Sequence, residues 1–340
     1  MSRPHHPPRP PAPGAGRRTR RRHSARAAAA VALLLALTAC GVGQGSAIEI
    51  EEGDVIRIGV VPTASFAPLY IAIEEGYFER EGLEVELQMM DNAAAVAPSV
   101  LNGQLQIGTA ATSPFISAIS EGLPLRAIAN ATVNSPPDDD ETALVVAEDS
   151  PVTQPRDLEG RKVAVNGLGA LPYVAAMQAI REDGGDPGAV TFVSVPFADM
   201  GSAVANGRVD AAALTEPFLS QSEAAGNTIL AGLYSAAFAP ESTTTLYFTA
   251  LPFIETNPEV VERFVRAVNG AGARAVEEPE LVAEVLAEYG GMDPDIAGGI
   301  RLPEYGTDLS ADGIAQVGDV MLTNGLLEEP IDAGAVIHDD

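Results

Sequence analysis

An α/β protein built as two lobes, each around a mostly parallel sheet, is the fold class that three observations predict. From residue 55 onward, short β-branched runs alternate with segments of helical period. The alternation falls into two series that resemble each other in places. From Pro258 the remainder is largely helical, which a sheet-centred fold uses as cover.

The first series opens with a strand at "VIRIGVV" (55–61), a helix at "APLYIAIEEG" (67–76) stopped by Gly76, and an alternating strand at "LEVELQM" (83–89). A helix from Ala94 to Asn102, a strand at "LQIGTA" and a helix from Ser113 to Glu121 follow. The second series starts at "TALVVA" (142–147). It continues through "RKVAV", a helix from Pro172 to Asp183, "VTFVSV", a helix ending at Asn206, "VDAAAL" and a helix after Thr215. "EVVERFVRAVNGAGARAV", "PELVAEVLAEYG" and "SADGIAQVGDVMLTNG" make the helical tail.

The internal likeness is concrete. "LNGQLQIGTAATSPF" (101–115) and "ANGRVDAAALTEPF" (205–218) share a helix end at Asn-Gly, a short apolar strand and a closing Thr-x-Pro-Phe, with one residue of slippage. "APLYIA" (67–72) and "ALPYVA" (170–175) both place Pro and Tyr at the start of a helix that follows a strand. Ligands of open α/β sheets sit outside the carboxyl ends of the strands, so four loops become candidate binding loops. They are Thr63-Ala64-Ser65-Phe66, Ala111-Thr112-Ser113, Asn166-Gly167-Leu168-Gly169-Ala170 and Thr215-Glu216-Pro217. Each precedes an expected helix whose first N–H groups lack intrahelical partners, and Pro114 and Pro217 suit a first turn.

The beginning of the chain carries a different message. Residues 1–26 are rich in Pro, Gly and Arg without an acidic residue, and an apolar run follows from Ala27 to Ala39. That is the pattern of an export leader, too short for a spanning helix of about 20 residues. Cys40, the only cysteine, follows Leu37-Thr38-Ala39, a stretch similar to the lipobox of bacterial lipoproteins. The expectation is a signal peptide over 1–39, lipidation at Cys40 and an anchored linker over 40–54. The chain would then be exported and held at the outer face of the membrane by lipid.

Composition excludes several chemistries. The full chain holds 20 basic and 47 acidic residues; loss of the eight arginines ahead of Cys40 leaves 12 basic residues and a surface that repels nucleic acid. His5, His6 and His23 lie in the leader and His338 near the C-terminus, which removes Ser-His-Asp and Cys-His catalysis and the common His-based metal sites. Lys162 is the sole lysine. The acidic run "SPPDDDET" (135–142) lacks the glycine and spaced ligands of a calcium loop and reads as a solvated loop. No metal, cofactor or catalytic residue is expected. One cysteine allows no internal disulfide, so stability must come from burial, for which 46% hydrophobic residues suffice.

"GVVPTASFAPLYIAIEEGYFEREGLEVEL", "NGQLQIGTAATSP", "EGLPLRAIA", "DLEGRKVAVNGLGA" and "NGRVDAAALTEPF", in that order, resemble the NMT1/THI5-like or SsuA-like binding proteins for sulfonates, nitrate, taurine and the pyrimidine precursor of thiamine. The resemblance spans about residues 55–275. It implies a type II periplasmic-binding-protein fold, two α/β lobes joined by two crossover strands. It also implies a monomeric receptor that hands a small ligand to the permease of an ABC importer. On that pattern lobe 1 is 55–142 with 248–340 and lobe 2 is 143–247; "TALVVA" is the first crossover and the region from Thr244 to Ala250 the second.

Candidate ligand-binding residues are Thr63, Ser65, Phe66, Thr112, Ser113, Asn166, Gly167, Gly169, Ala170 and Glu216. Helix N-termini favour an acceptor-rich anion such as sulfonate. Glu216 would instead favour N–H donors, as in an aminopyrimidine, unless it is turned into its own lobe. Phe66, Tyr70, Phe115, Tyr173 and Phe218 are aromatic candidates for core or cleft wall. Two alternatives to the receptor stay open: a lipid-anchored sensor without transport, and an enzyme resembling the thiamine-pyrimidine synthases. The latter resemblance implies a histidine, a cofactor-binding lysine and a cysteine-rich motif, which this sequence does not supply.

Overall fold

The computed structural model describes residues 48–340 apart from 91, 92, 135–139, 291, 307, 339 and 340, all within one compact unit, Gly45–Asp340. Cys40, the leader and the first part of the expected linker lie outside the described residues. Where the linker enters the fold it is fastened: Ile50 N–H donates to Asn257 Oδ1 at 2.8 Å and Asn257 Nδ2 donates to Ile48 O at 2.9 Å.

The first part of the chain runs β1 (Val55–Val60), α1 (Ala67–Glu74), α2 (Tyr77–Arg80), β2 (Glu84–Met89), α3 (Val96–Leu101), β3 (Ile107–Ala111), α4 (Thr112–Ser120) and β4 (Leu125–Val133). The second part runs β5 (Thr142–Ala147), β6 (Lys162–Val165), α5 (Leu171–Glu182), β7 (Thr191–Ser194), α6 (Phe197–Ala205), β8 (Ala211–Thr215), α7 (Phe218–Ala224) and β9 (Asn227–Gly232). The chain then returns through α8 (Tyr234–Ala237), β10 (Thr243–Ala250), α9 (Leu251–Thr256), α10 (Pro258–Glu277), α11 (Pro279–Gly290), α12 (Pro294–Ala297), β11 (Glu304–Tyr305) and α13 (Ala311–Thr323).

Two sheets result, ordered β11-β4-β10-β3-β1-β2 and β7-β6-β8-β5-β9. Apart from β11 the orders match. In the first, β1 lies parallel between β2 and β3, and antiparallel β10 is inserted between β3 and β4. In the second, β6 lies parallel between β7 and β8, and antiparallel β5 is inserted between β8 and β9. The likeness of the two sequence series is thus a likeness of sheets.

The insertions place the cleft. The chain leaves the carboxyl end of β4 and enters the amino end of β5; it later leaves the carboxyl end of β9 and enters the amino end of β10. Both passages, 134–141 and 233–242, join the same kind of edge, the one holding the carboxyl ends of the parallel strands. Those edges must therefore face each other.

The crossings fall beside, not on, the strands assigned to them from sequence. "TALVVA" pairs wholly within the second sheet, Thr142 opposite Thr215. Residues 243–247, expected in the second lobe, pair with β3 and β4 of the first sheet. The reason is backbone satisfaction: both segments are buried along their length, and a buried strand needs hydrogen-bonding neighbours on both sides.

Cores cover both sheets. One face of the first sheet packs against α1, α10 and α11, where Tyr70, Tyr247 and Phe264 are almost wholly buried. In α10 the buried positions Val260, Val261, Phe264, Ala267, Val268, Ala271 and Ala275 form one helical stripe. The opposite face carries α4 and α13, and this core continues without a break into α5 of the second sheet. A smaller cluster under α6 and α7 closes the far side of the second sheet.

Candidate functional site

The loops at the facing edges meet. Ala64 N–H, from the loop after β1, donates to Glu216 C=O after β8 at 3.2 Å. Ser113 Oγ, in the first turn of α4, donates to Gly169 C=O ahead of α5 at 2.9 Å. Four loops singled out from sequence are thus joined in pairs across the two sheets.

The predicted residues sit there unequally. Thr63, Ser65, Phe66, Thr112, Ser113 and Glu216 are buried. Phe66 places its ring against Tyr247, edge to face at 5.9 Å, and so serves the core as well as the loop. Asn166, Gly167, Gly169 and Ala170 line a cavity of about 300 Å³ walled by Pro98, Phe115 and other residues of α3 and α4. Gly169 turns with φ +87°, a conformation glycine adopts at little cost. Thr112 Oγ1 and Asn166 Oδ1 are buried without a hydrogen-bond partner, places where a ligand's polar groups would be repaid.

Glu216 is wholly buried, and its peptide bond to Pro217 is cis. Oε1 accepts from Ser220 Oγ (2.8 Å), Arg301 N–H (3.2 Å) and Arg301 Nη1 (3.4 Å), and Oε2 accepts from Ser220 N–H (3.0 Å). The donors therefore come from both sides of the cleft, since Ser220 opens α7 and Arg301 precedes β11. Burial pushes the Glu216 carboxyl above its ordinary range, against the lowering effect of Ser220 and Arg301. Arg301 also pairs with Glu223 at 2.7 Å, the bond that most raises its own pKa. Both values rise, that of Glu216 because it is fully desolvated and that of Arg301 because carboxylates surround a side chain that keeps 30% of its surface.

The crossings are themselves cross-linked. Asn134 Nδ2 donates to Phe238 C=O (2.8 Å) and Ala239 C=O (3.2 Å). Asp140 accepts from Ser235 N–H (2.9 Å), Ser235 Oγ (2.8 Å) and Thr142 N–H (3.1 Å). Burial raises the Asp140 carboxyl, opposed by these bonds. The two passages are thus tied to each other at Asn134 and at Asp140, and two adjacent connections between sheets are a place where a hinge can form. Among the described residues, no group of acidic, Cys or His side chains is placed to hold a metal ion, and no helix is long and apolar enough to cross a membrane.

A family model described as "NMT1/THI5 like" matches residues 63–281. The chain belongs to the NMT1/THI5-like family. The taurine-binding periplasmic protein of Escherichia coli is 24% identical over 264 residues, covering 75% of this chain and 79% of that one. The formylaminopyrimidine-binding protein of Halalkalibacterium halodurans is 28% identical over 254 residues, 73% and 74% of the two chains. The 4-amino-5-hydroxymethyl-2-methylpyrimidine phosphate synthase of Aspergillus parasiticus is also similar, 26% identical over 245 residues and 68% of each. Among solved structures, the aliphatic sulphonate binding protein SsuA of Escherichia coli superposes with a TM-score of 0.69 at 21% identity, over 84% of this chain and 97% of that one. The fold is that of the periplasmic binding proteins.

Within this NMT1/THI5-like chain, several residues at or behind the facing sheet edges carry no sequence signal. Arg301 lies in a helical tail with no motif around it. Glu141 and Asp140 belong to the acidic run expected to be a solvated loop, yet they are 1% and 7% exposed. Tyr247 falls in the segment expected as the second crossover and Tyr305 outside any motif; Tyr305 Oη donates to Ala64 C=O at 2.9 Å. The remaining aromatic candidates pack with ring partners: Tyr70 on Tyr289, Phe115 on Phe248, Tyr173 on Phe192 and Phe218 on Phe197.

Proposed function

We propose that this chain is an extracytoplasmic solute-binding receptor that captures a small sulfur- or nitrogen-containing organic nutrient, sulfonate- or taurine-like or an aminopyrimidine, between its lobes and delivers it to an ABC importer. The observation that carries this reading is the pair of cross-linked passages joining two sheet edges whose binding loops touch. A ligand that contacts loops of both lobes gains its full set of contacts only when they are closed, so binding shifts the population toward the closed form. No bond is broken.

In this reading Thr63, Ser65, Phe66, Thr112, Ser113, Asn166, Gly167, Gly169 and Ala170 surround the ligand, and Glu216 fixes the closed geometry at its border. Capture rather than conversion is favoured by the chain's own side chains. Lys162, the sole lysine, stands exposed at the start of β6, away from the loops after the strands. Cys40 is the proposed lipid attachment point after removal of residues 1–39, with residues from 40 to about 47 as the tether. The receptor works as a monomer, since two lobes of one chain enclose the ligand.

The test is twofold. Small-angle scattering with and without a stabilising compound is expected to show a smaller radius of gyration when liganded, and the liganded chain is expected to stimulate ATP hydrolysis by the cognate permease and ATPase in a bilayer. Turnover of the bound compound would defeat the reading. Mass spectrometry of the N-terminal peptide checks for lipid on Cys40.

A further inference from the structure

The cavity of about 300 Å³ runs from the loop after β6 along one flank of α4, at the small end of the range for ligand pockets. Pro114, Ser117, Ala118 and Glu121 line it at the three- and four-residue spacing of one helix face. Phe115 and Phe248, with ring centroids 5.9 Å apart, share its wall with Ala97, Pro98 and Leu125. The second sheet contributes the loop from Asn166 to Ala170, which Ser113 Oγ holds against α4 by its bond to Gly169 C=O at 2.9 Å. The cavity is therefore walled from both sheets. Among the described residues, loops 63–66 and 215–217 do not border it.

The polar side chains of the lining are Ser117, Asn166 and, at the exposed far end, Glu121. Among the described residues, no lysine, arginine or histidine borders the cavity. An anionic group inside would be desolvated without a counter-charge, and Glu121 would repel it. Asn166 Oδ1 is buried without a hydrogen-bond partner, an acceptor that a donor on a bound molecule would satisfy. Leu168, between Gly167 and Gly169, borders the cavity with 67% of its surface exposed. An apolar molecule held there gives this side chain a surface to cover, with a gain proportional to the apolar area removed from water.

We infer that this cavity holds the bulky apolar body of the solute, and that the solute is a neutral amide of an arylalkyl or branched-chain acid. Its N–H meets Asn166 Oδ1, its carbonyl accepts from the Ser117 hydroxyl, and Leu168 covers its apolar body. An amide carries one donor group and one acceptor, matching the uncharged polar pair of the lining, and needs no counter-charge. Because both sheets wall the cavity, a molecule that fills it favours the closed form. This inference rests on the receptor reading, since it names a class of solute, and it extends the nitrogen-containing branch of that reading to amides.

The experiment measures binding to the full chain by calorimetry and thermal shift, with phenylacetamide and 4-methylpentanamide as neutral probes and benzenesulfonate and ethanesulfonate as anion probes. The expected result is binding of a neutral probe, with the anions weaker by about tenfold or more. Ala118→Leu fills part of the cavity from α4 and is expected to weaken the neutral probe by about tenfold. Leu168→Ser, at an exposed position, is expected to weaken it severalfold, which preserves the test if Ala118→Leu folds poorly. Benzenesulfonate bound as tightly as phenylacetamide overturns the inference while leaving the receptor reading with a ligand. Binding of neither neutral probe, or neutral binding indifferent to both substitutions, also overturns it. The receptor reading is judged apart from these outcomes, by stimulation of the permease and ATPase with any compound that raises the melting temperature of the chain.

Discussion

Arg301 and Glu216 tie the two halves of the molecule together: the Arg301 backbone N–H and guanidinium both donate to one carboxylate oxygen, at 3.2 and 3.4 Å, from the opposite side of the cleft. The acceptor is wholly buried. Removing the cation strands a desolvated charge, and such half-removal typically costs about 3–5 kcal/mol. Arg301→Met is therefore expected to destabilise the chain by about 3 kcal/mol at neutral pH, the low end because Arg301 is partly exposed. Urea denaturation checks this, with the double variant Arg301→Met, Glu216→Gln expected to recover most of the loss.

The pH dependence has a defined sign. Asp140 and Glu216 both have carboxyl pKa values raised in the folded state, by burial first. A raised carboxyl contributes stability that is present below its unfolded pKa of about 4 and is lost as pH rises through the folded value. Asp140→Asn and Glu216→Gln are each expected to flatten the decline of stability from about pH 4 upward, relative to the parent chain. Denaturant titrations at a series of pH values read this directly, and a steeper decline in either variant would contradict it.

Ser113→Ala removes the bond to Gly169 C=O at 2.9 Å. A neutral hydrogen bond of this kind is worth about 1 kcal/mol, and it is made only when the lobes meet. The variant is expected to populate the open form more and to bind ligand about fivefold more weakly. Its resistance to denaturant should change less than its scattering profile does.

Gly108, in β3, has no room for a side chain. A methyl there would meet Phe248 Cζ at 2.5 Å and Val96 Cγ1 at 2.8 Å. Gly108→Ala is expected to cost about 1–3 kcal/mol by overpacking, read as a lower denaturation midpoint, although alanine is ordinarily tolerated in a strand.

Sequence periodicity was most informative where burial is one-sided or complete. β1 to β3, β5 to β8 and the stripe along α10 follow from alternation, β-branched runs and turn glycines such as Gly76. β4, "LRAIANATV", carries no clear strand signal, because Arg126 and Asn130 interrupt it and its partners β10 and β11 come from more than 100 residues away. β9 is similarly mixed and depends on β5 for its register. The loop positions Thr63, Thr112, Ser113, Asn166 and Gly169 at the facing sheet edges are legible because they sit between a strand and a helix. Glu141 and Arg301 are not, since nothing in their neighbours distinguishes a solvated charge from a buried one.

Local pattern and composition suffice for the alternation of strands and helices, the likeness of the two series, the positions of the four loops and the scarcity of histidine and lysine. Which strands are inserted antiparallel, where the two crossings fall, and that the Glu216 carboxylate is held by Ser220 and Arg301 are fixed by packing between distant segments. Those outcomes depend on which distant segments satisfy each other's buried backbone and charge, and that is settled when the chain packs.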